Sequence, residues 1–114
     1  MRKYEKIINI IKDDLKNQWD SAVFCNLKSW ENEPENCEII ILEGDDELED
    51  LGDIYNHIPK LALSLNVRQL LDIETLRSVI AAQNKVNPKS GVYDYVHAIN
   101  HYREYDSFFE LDPN

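Results

Sequence analysis

The stretch CEIIIL, residues 37–42, decides the fold, because its four consecutive aliphatic residues are typical of a strand buried on both faces. A second run of this kind, SAVFCNL at residues 21–27, lies upstream. The segment between them, KSWENEPEN, contains Pro34 and several polar turn-forming residues. The two runs therefore predict two strands, paired antiparallel and joined by a long loop.

Upstream of these strands, apolar residues recur with the spacing of a helix. They follow one another at steps of three, one, three, four and four residues, and lysines occupy the positions between them. This pattern predicts an amphipathic helix over residues 2–18. Its apolar stripe consists of Tyr4, Ile7, Ile8, Ile11, Leu15 and Trp19.

Downstream, two more helices are predicted. Asp72 is placed to cap the first, which carries an apolar face and ends before Pro88, because proline disfavours helical geometry in the residue before it. Ser90 is placed to cap the second, GVYDYVHAINHYREYDSFF. One face of the first contains Ile73, Leu76, Ile80 and Gln83, with Val79 alongside. The core-facing stripe of the second contains Val92, Tyr95, Val96, Ile99 and Tyr102.

The segment DIYNHIPKLALSLNVRQLL, residues 53–71, has a mixed pattern. Pro59 can open a helix with leucines at alternate positions, yet the same alternation fits a strand, and we favour a helix or irregular structure. No repeat or linker divides the chain, so residues 1–114 are predicted to form one domain. The order of elements predicts an α+β fold, with helices packed on a small antiparallel sheet.

The charge of the chain is concentrated in its middle. The net charge is −10, and residues 29–66, with one basic and eleven acidic side chains, account for a net −10. Residues 1–28 carry +2 and residues 67–114 carry −2. Such a field disfavours direct binding of nucleic acid or an anionic membrane, and it attracts a basic protein or a cation.

The sequence shows neither a targeting signal nor a cysteine motif, and we therefore expect a reduced, cytoplasmic protein. The N-terminal apolar run is interrupted at Lys12 and Asp13, too early for a signal peptide, and no segment approaches the length of a membrane span. Cys25 and Cys37 form no C-x-x-C pair for zinc and are too few for a disulfide scaffold. Both lie in predicted strands, where cysteine serves as a small buried residue.

The densest acidic run is EGDDELEDLGD, residues 43–53, with seven carboxylates in eleven positions. It does not match a calcium-binding EF-hand loop. If the loop begins at Asp45, Asp50 stands where glycine is needed and Asn56 stands where a bidentate glutamate is needed. If the loop begins at Glu47, Ile58 stands at the position of the bidentate glutamate. The run is therefore either a solvated loop that blocks edge-to-edge strand pairing or a docking surface for a basic protein.

Trp30 is an aromatic residue in the predicted loop KSWENEPEN, within the acidic middle of the chain. It is either an interface anchor or a core residue at a strand end. The predicted partner-binding residues are Asp45, Asp46, Glu47, Glu49, Asp50, Asp53 and Trp30.

A second polar cluster lies on the predicted last helix. Asp94, His97, His101 and Glu104 are spaced three, four and three residues apart, which places them on one helix face. Two histidines at i and i+4 can share a metal, but no glutamate sits between them as in H-E-x-x-H and no third ligand is evident. A polar helix face explains the spacing as well. With no nucleophile motif and no glycine-rich phosphate loop, we expect neither an enzyme nor a cofactor.

The C-terminal half, LLDIETLRSVIAAQNKVNPKSGVYDYVHAINHYREYDSFFEL at residues 70–111, resembles small bacterial immunity proteins, including those of contact-dependent growth inhibition systems. The matching stretches are DIETLRSVIAAQ, HAINHYREYDSFF and the strand CEIIIL. The resemblance implies a cytoplasmic antitoxin that binds one cognate toxin domain and blocks it, and many such toxins are nucleases with basic clefts. An acidic inhibitor suits that role, since carboxylates can take the place of phosphates.

Two other functions remain open from the sequence. The first is an acidic adaptor for another basic protein. The second is a metal-dependent hydrolase that uses the polar cluster on the last helix. The resemblance implies nothing about oligomeric state.

Overall fold

A computed structural model of the protein describes residues 1–12 and 21–105. The fold is α+β, as the sequence predicts. Its strands are β1 (Arg2–Tyr4), β2 (Ser21–Cys25), β3 (Ile39–Glu43), β4 (Leu51–Asp53), β5 (Ile58–Pro59) and β6 (Arg68–Asp72). Its α-helices are α1 (Ile7–Ile11), α2 (Leu27–Asn32), α3 (Gly44–Leu48), α4 (Lys60–Ser64), α5 (Ile73–Val86) and α6 (Val92–Tyr105), with a 3₁₀ turn at Pro34–Asn36.

Four strands form the main sheet in the order β1-β3-β2-β6, and every neighbouring pair is antiparallel. The predicted antiparallel pair is therefore confirmed as β2 and β3, with Cys25 opposite Ile39 and Ser21 opposite Glu43. The four aliphatic residues of β3 are all buried, as expected for a central strand. β4 and β5 form a separate two-stranded hairpin.

The two faces of the sheet bury different apolar clusters, because neighbouring residues on a strand point to opposite faces. On one face, Val23 and Ile41 pack with residues of the long helices α5 and α6. On the other face, Phe24 and Ile40 pack with Ala62 of α4 and with partly buried residues of α3 and β5.

The N-terminal segment differs from the predicted helix over residues 2–18. Arg2–Tyr4 is an edge strand beside β3, and α1 spans only Ile7–Ile11, while residues 13–18 lie outside the described part of the chain. Pairing with β3 satisfies backbone groups that a helix would satisfy within itself, so tertiary contacts override the helical pattern here. Two residues of α1, Ile7 and Ile10, are nevertheless fully buried.

The loop predicted between β2 and β3 contains a helix, α2. Asn26 caps it, since its side-chain oxygen accepts a hydrogen bond from the Ser29 N–H at 3.0 Å. Pro34 then opens the 3₁₀ turn that leads into β3. The helix turns Trp30 into the core, where 2% of its surface is exposed.

Residues 53–71, whose pattern is mixed, form the helix α4 after Pro59, in line with the helix favoured from the sequence. The strand β6 follows, which the sequence did not predict. β6 pairs with β2 across a register shift between Val23 and Phe24, and such an irregularity interrupts the alternation that marks a strand in a sequence.

The two C-terminal helices are confirmed over residues 73–86 and 92–105, and the residues predicted to face the core are buried or partly buried. Residues 106–109 of the second predicted helix lie outside the described part of the chain. Asp72 lies at the N-cap position of α5, as predicted, whereas Ser90 lies two residues before the start of α6. The Asp72 carboxylate accepts a hydrogen bond from Gln69 Nε2 at 2.9 Å and makes no cap bond, and the Ser90 hydroxyl donates to the Asn87 carbonyl at 2.7 Å. The carboxylate of Asp94 accepts the Gly91 N–H at the start of α6.

An acidic groove at one end of the sheet

The groove lies where β3 and β6 end on either side of the first residues of β2. Both strands run antiparallel to β2, so their carboxyl ends meet at its beginning. Ser21 pairs with Glu43, and Ala22 pairs with Asp72. The residues that follow each of the two strands are therefore brought to the same end of the sheet.

The acidic run folds into three consecutive elements at this end. Glu43 ends β3, and Gly44 then turns the chain with a φ of 71°, a left-handed conformation that favours glycine. α3 follows, with three carboxylates in its first turn, where the helix dipole favours negative charge. β4 completes the run. Residues 43–48 and 51–53 thus lie in helix or strand rather than in a loop.

Between α3 on one side and the start of α5 on the other lies a groove of about 530 Å³, which we call the acidic groove. Four carboxylates line it, two from α3 and the residue that follows it and two from the β6–α5 junction. Apolar side chains from β2, α3 and β5 complete it. Its lining residues are Ser21, Ala22, Phe24, Gly44, Asp45, Leu48, Glu49, His57, Pro59, Gln69, Asp72 and Glu74.

Three carboxylates of the run are engaged within the protein. Glu43 forms an ion pair with Arg2 at 2.7 Å. Glu47 accepts hydrogen bonds from the α-amino group of Met1 at 2.8 Å and from the Glu43 N–H at 3.0 Å, and the bond from the amino group is the main reason that its pKa is lowered. Asp53 accepts hydrogen bonds from the side chain and backbone of Asn56, which lower its pKa. These three hold the segment in place.

The other four carboxylates, which we call the acidic surface, are exposed: Asp45, Asp46, Glu49 and Asp50. Asp45 and Glu49 line the acidic groove, whereas Asp46 and Asp50 are not among its lining residues. The acidic surface thus extends from the groove over α3 and the two residues that follow it. Chemically, such an arrangement can pair with cationic side chains and attract them over a distance.

Trp30 does not belong to this site. Its indole N–H donates a hydrogen bond to Asn100 Oδ1 on α6 at 2.8 Å, and α2 follows the end of β2 opposite to the groove. Of the two roles left open by the sequence, the structure shows the buried core residue, so Trp30 is not part of the proposed interface.

Sequence reasoning missed the groove residues outside the acidic run, Asp72 and Glu74 above all. Asp72 was assigned only a helix cap. Recognising β6 would have revealed them, because a strand ending at Asp72 beside β2 brings its carboxylate to the acidic run. His57, also in the groove, adopts a φ of 54° in the turn between β4 and β5.

The second polar cluster gains no support as a metal site. Among the described residues, no group of three or more His, Cys, Asp and Glu side chains is arranged to hold a metal ion. Asp94 bonds to the backbone of Gly91, and the rings of His101 and Tyr105 pack with their centroids 4.8 Å apart. His97 and His101 both make further interactions.

The two cysteines are buried side chains of the core. Burial raises the pKa of Cys25 to about 12, and burial also raises the pKa of Cys37. Both thiols are free, and at neutral pH neither is the thiolate that nucleophilic chemistry or metal binding requires.

Comparison with known proteins identifies one family. The family model described as Domain of unknown function (DUF7716) matches residues 3–111, nearly the whole chain. No curated protein and no solved structure matches the chain. None of the helices within residues 1–12 and 21–105 is long and apolar enough to cross a membrane.

Proposed function

The chain belongs to the DUF7716 family, and we propose that it is an immunity protein that binds and neutralises a cognate toxin domain, a nuclease, through its acidic surface. It acts by binding rather than by catalysis, in the cytoplasm. The observation that carries the proposal is the arrangement of the acidic run, which presents four exposed carboxylates, two on α3 and two directly after it, beside a groove that two further carboxylates line.

The physical basis is electrostatic mimicry. A nuclease cleft carries basic side chains that bind phosphates, and an array of fixed carboxylates can occupy the same side chains with charge-assisted hydrogen bonds. The net charge of −10 also speeds the encounter with a basic partner. Glu47 and Asp53, which were predicted as contact residues, hold the shape of the segment, so contact falls to the four residues of the acidic surface.

The experiment is a co-expression test with the protein encoded immediately upstream. We expect that protein to arrest growth when produced alone, and we expect this chain to restore growth and to co-purify with it. If the neighbour is harmless and does not bind, the immunity function is wrong. An acidic adaptor remains the alternative in that case, because an adaptor needs no toxin beside it.

A further inference from the structure

We propose that the acidic groove is the pocket in which an arginine side chain of the partner protein docks. This inference deepens the proposed function, since it names the side chain that the interface takes. Three features of the groove carry it: its charge, its apolar lining and the exposed residues beside it.

The charge of the groove comes from two separate walls. One wall consists of Asp45 in α3 and Glu49 directly after α3, and the other of Asp72 at the end of β6 and Glu74 in the first turn of α5. All four are exposed, and the lining contains neither lysine nor arginine. A concave surface with charges of one sign concentrates the field within it, so this groove attracts a cation more strongly than a flat surface does.

Part of the lining between these walls is apolar. Ala22, Phe24, Leu48 and Pro59 contribute to it, and the volume of about 530 Å³ lies within the range of clefts that accept a ligand. An arginine side chain matches this combination, because its aliphatic stem covers apolar surface while its guanidinium group bonds to carboxylates. Lysine fits less well, as its ammonium group is more strongly hydrated.

The spacing of the carboxylates favours a broad cation over a metal ion. In the part of the chain that the structure describes, no three acidic or histidine side chains are close enough to share one ion. A guanidinium group offers five N–H donors spread over a plane and can bridge separated acceptors. Ser21, 7% exposed, also lines the groove and contributes a hydroxyl group, which can donate or accept a hydrogen bond.

Exposed apolar residues beside the groove indicate that the arginine belongs to a protein. The turn between β4 and β5 carries Ile54, 71% exposed, and Tyr55, 96% exposed. The same turn contributes His57 to the groove, and Pro59 of β5 follows it. An exposed tyrosine beside a charged pocket is typical of protein interfaces, where aromatic residues and arginine supply most of the binding energy.

The test uses a probe that does not depend on the toxin. The peptide acetyl-Gly-Arg-Gly-amide is titrated into the full ¹⁵N-labelled chain, with the citrulline peptide as its neutral isostere. We expect saturable shifts at the amides of Ala22, Phe24, Leu48 and Gln69. We expect the citrulline peptide to bind about tenfold more weakly, because it loses the charge-assisted bonds.

Two pairs of substitutions localise the binding. The first pair, Glu49→Gln with Glu74→Gln, removes one charge from each wall and should lower the affinity for the arginine peptide about tenfold. Glu31→Gln with Glu33→Gln removes two exposed charges near the other end of β2 and should leave the affinity unchanged. All four side chains are exposed, so both variants should keep the spectrum of the folded protein.

The outcomes separate this inference from the proposed function. Equal binding of both peptides, or equal weakening by both pairs of substitutions, overturns the groove as an arginine pocket. The co-expression result stands independently of either. If the chain binds the arginine peptide selectively but the upstream neighbour is harmless, the arginine pocket is supported and the immunity function is wrong.

Discussion

The indole N–H of Trp30 donates to Asn100 Oδ1 at 2.8 Å and so ties α2 to α6. The ring is almost fully buried, whereas Asn100 is exposed. Water can therefore replace the indole N–H as the hydrogen-bond donor to Asn100. The Trp30 side chain accordingly contributes to stability mainly through the volume that it fills in the core.

Trp30→Phe should accordingly lower the free energy of unfolding by about 1 to 2 kcal/mol, through the lost hydrogen bond and part of the packing. Affinity for the partner should stay unchanged, since the ring lies in the core. Urea denaturation and a binding titration measure the two effects, with the exposed Tyr93→Phe as a control that should change neither. A variant that is stable but binds poorly would return Trp30 to the interface.

The carboxylate of Asp53 accepts two hydrogen bonds from Asn56, which lower its pKa below the usual value of 3.8. A lowered pKa in the folded state means that the contribution of Asp53 to stability is present above the unfolded pKa and is lost as the pH falls through the folded pKa.

Asp53→Asn should therefore be less stable than the unchanged protein at about pH 7, and this difference should shrink as the pH is lowered past about 3.8. Thermal unfolding at several pH values measures it. Asp50→Asn is the control, because the Asp50 side chain makes no hydrogen bond with a described residue. A difference that grows towards low pH would contradict the assignment.

Among the elements, the β4–β5 hairpin depends on close contact with α4. A Cβ atom added at Gly52 would lie 2.5 Å from Leu63 Cδ1 and 3.0 Å from Lys60 Cα. The leucine tip can move, but the backbone of α4 cannot move without shifting the Lys60 N–H, which donates to the Asp50 carbonyl at 2.7 Å. The hairpin and the acidic run are thus held as one unit.

Gly52→Ala should destabilise the protein by about 1 to 3 kcal/mol, as expected when extra volume enters a well-packed contact. Gly91→Ala serves as the control, because a Cβ there meets only Asp94 Oδ2 at an ordinary 3.9 Å. Chemical denaturation of both variants measures the difference. Equal effects of the two substitutions would mean that the hairpin does not pack on α4 in this way.

The elements that the sequence predicted correctly are those with a long or dense apolar pattern. β3 carries four aliphatic residues in succession, and α5 and α6 each show a stripe over 14 residues. The short strand β1 and the irregular strand β6 form because they pair with β3 and β2, and no local pattern marks such pairing. The acidic groove depends on β6, so the sequence predicted only two of its carboxylates, Asp45 and Glu49 of the acidic run.

For the whole molecule, the uneven charge is the property that bears most on function. The net charge of −10 resides in residues 29–66, and the acidic surface presents part of it beside the groove. At low ionic strength this field reaches well beyond contact distance, whereas salt at about 0.1 M limits its range to about 10 Å.

The association rate with the toxin should therefore fall about tenfold or more between low and moderate salt, while the dissociation rate changes little. Stopped-flow mixing over a series of salt concentrations measures both rates. An association rate that is insensitive to salt would show that steering by the acidic surface plays no part.

The most direct test of the central claim is the affinity for the upstream-encoded toxin after reversal of three charges on the acidic surface. Asp46→Lys, Glu49→Lys and Asp50→Lys together should weaken binding at least about tenfold and leave thermal stability nearly unchanged. The matched control makes the same change in net charge on exposed residues at the other end of β2, through Glu31→Lys, Glu33→Lys and Glu38→Lys. This control should bind the toxin far more tightly than the first variant does. Unaltered affinity in the first variant would contradict the account and move the interface elsewhere, with α6 as the next surface to test.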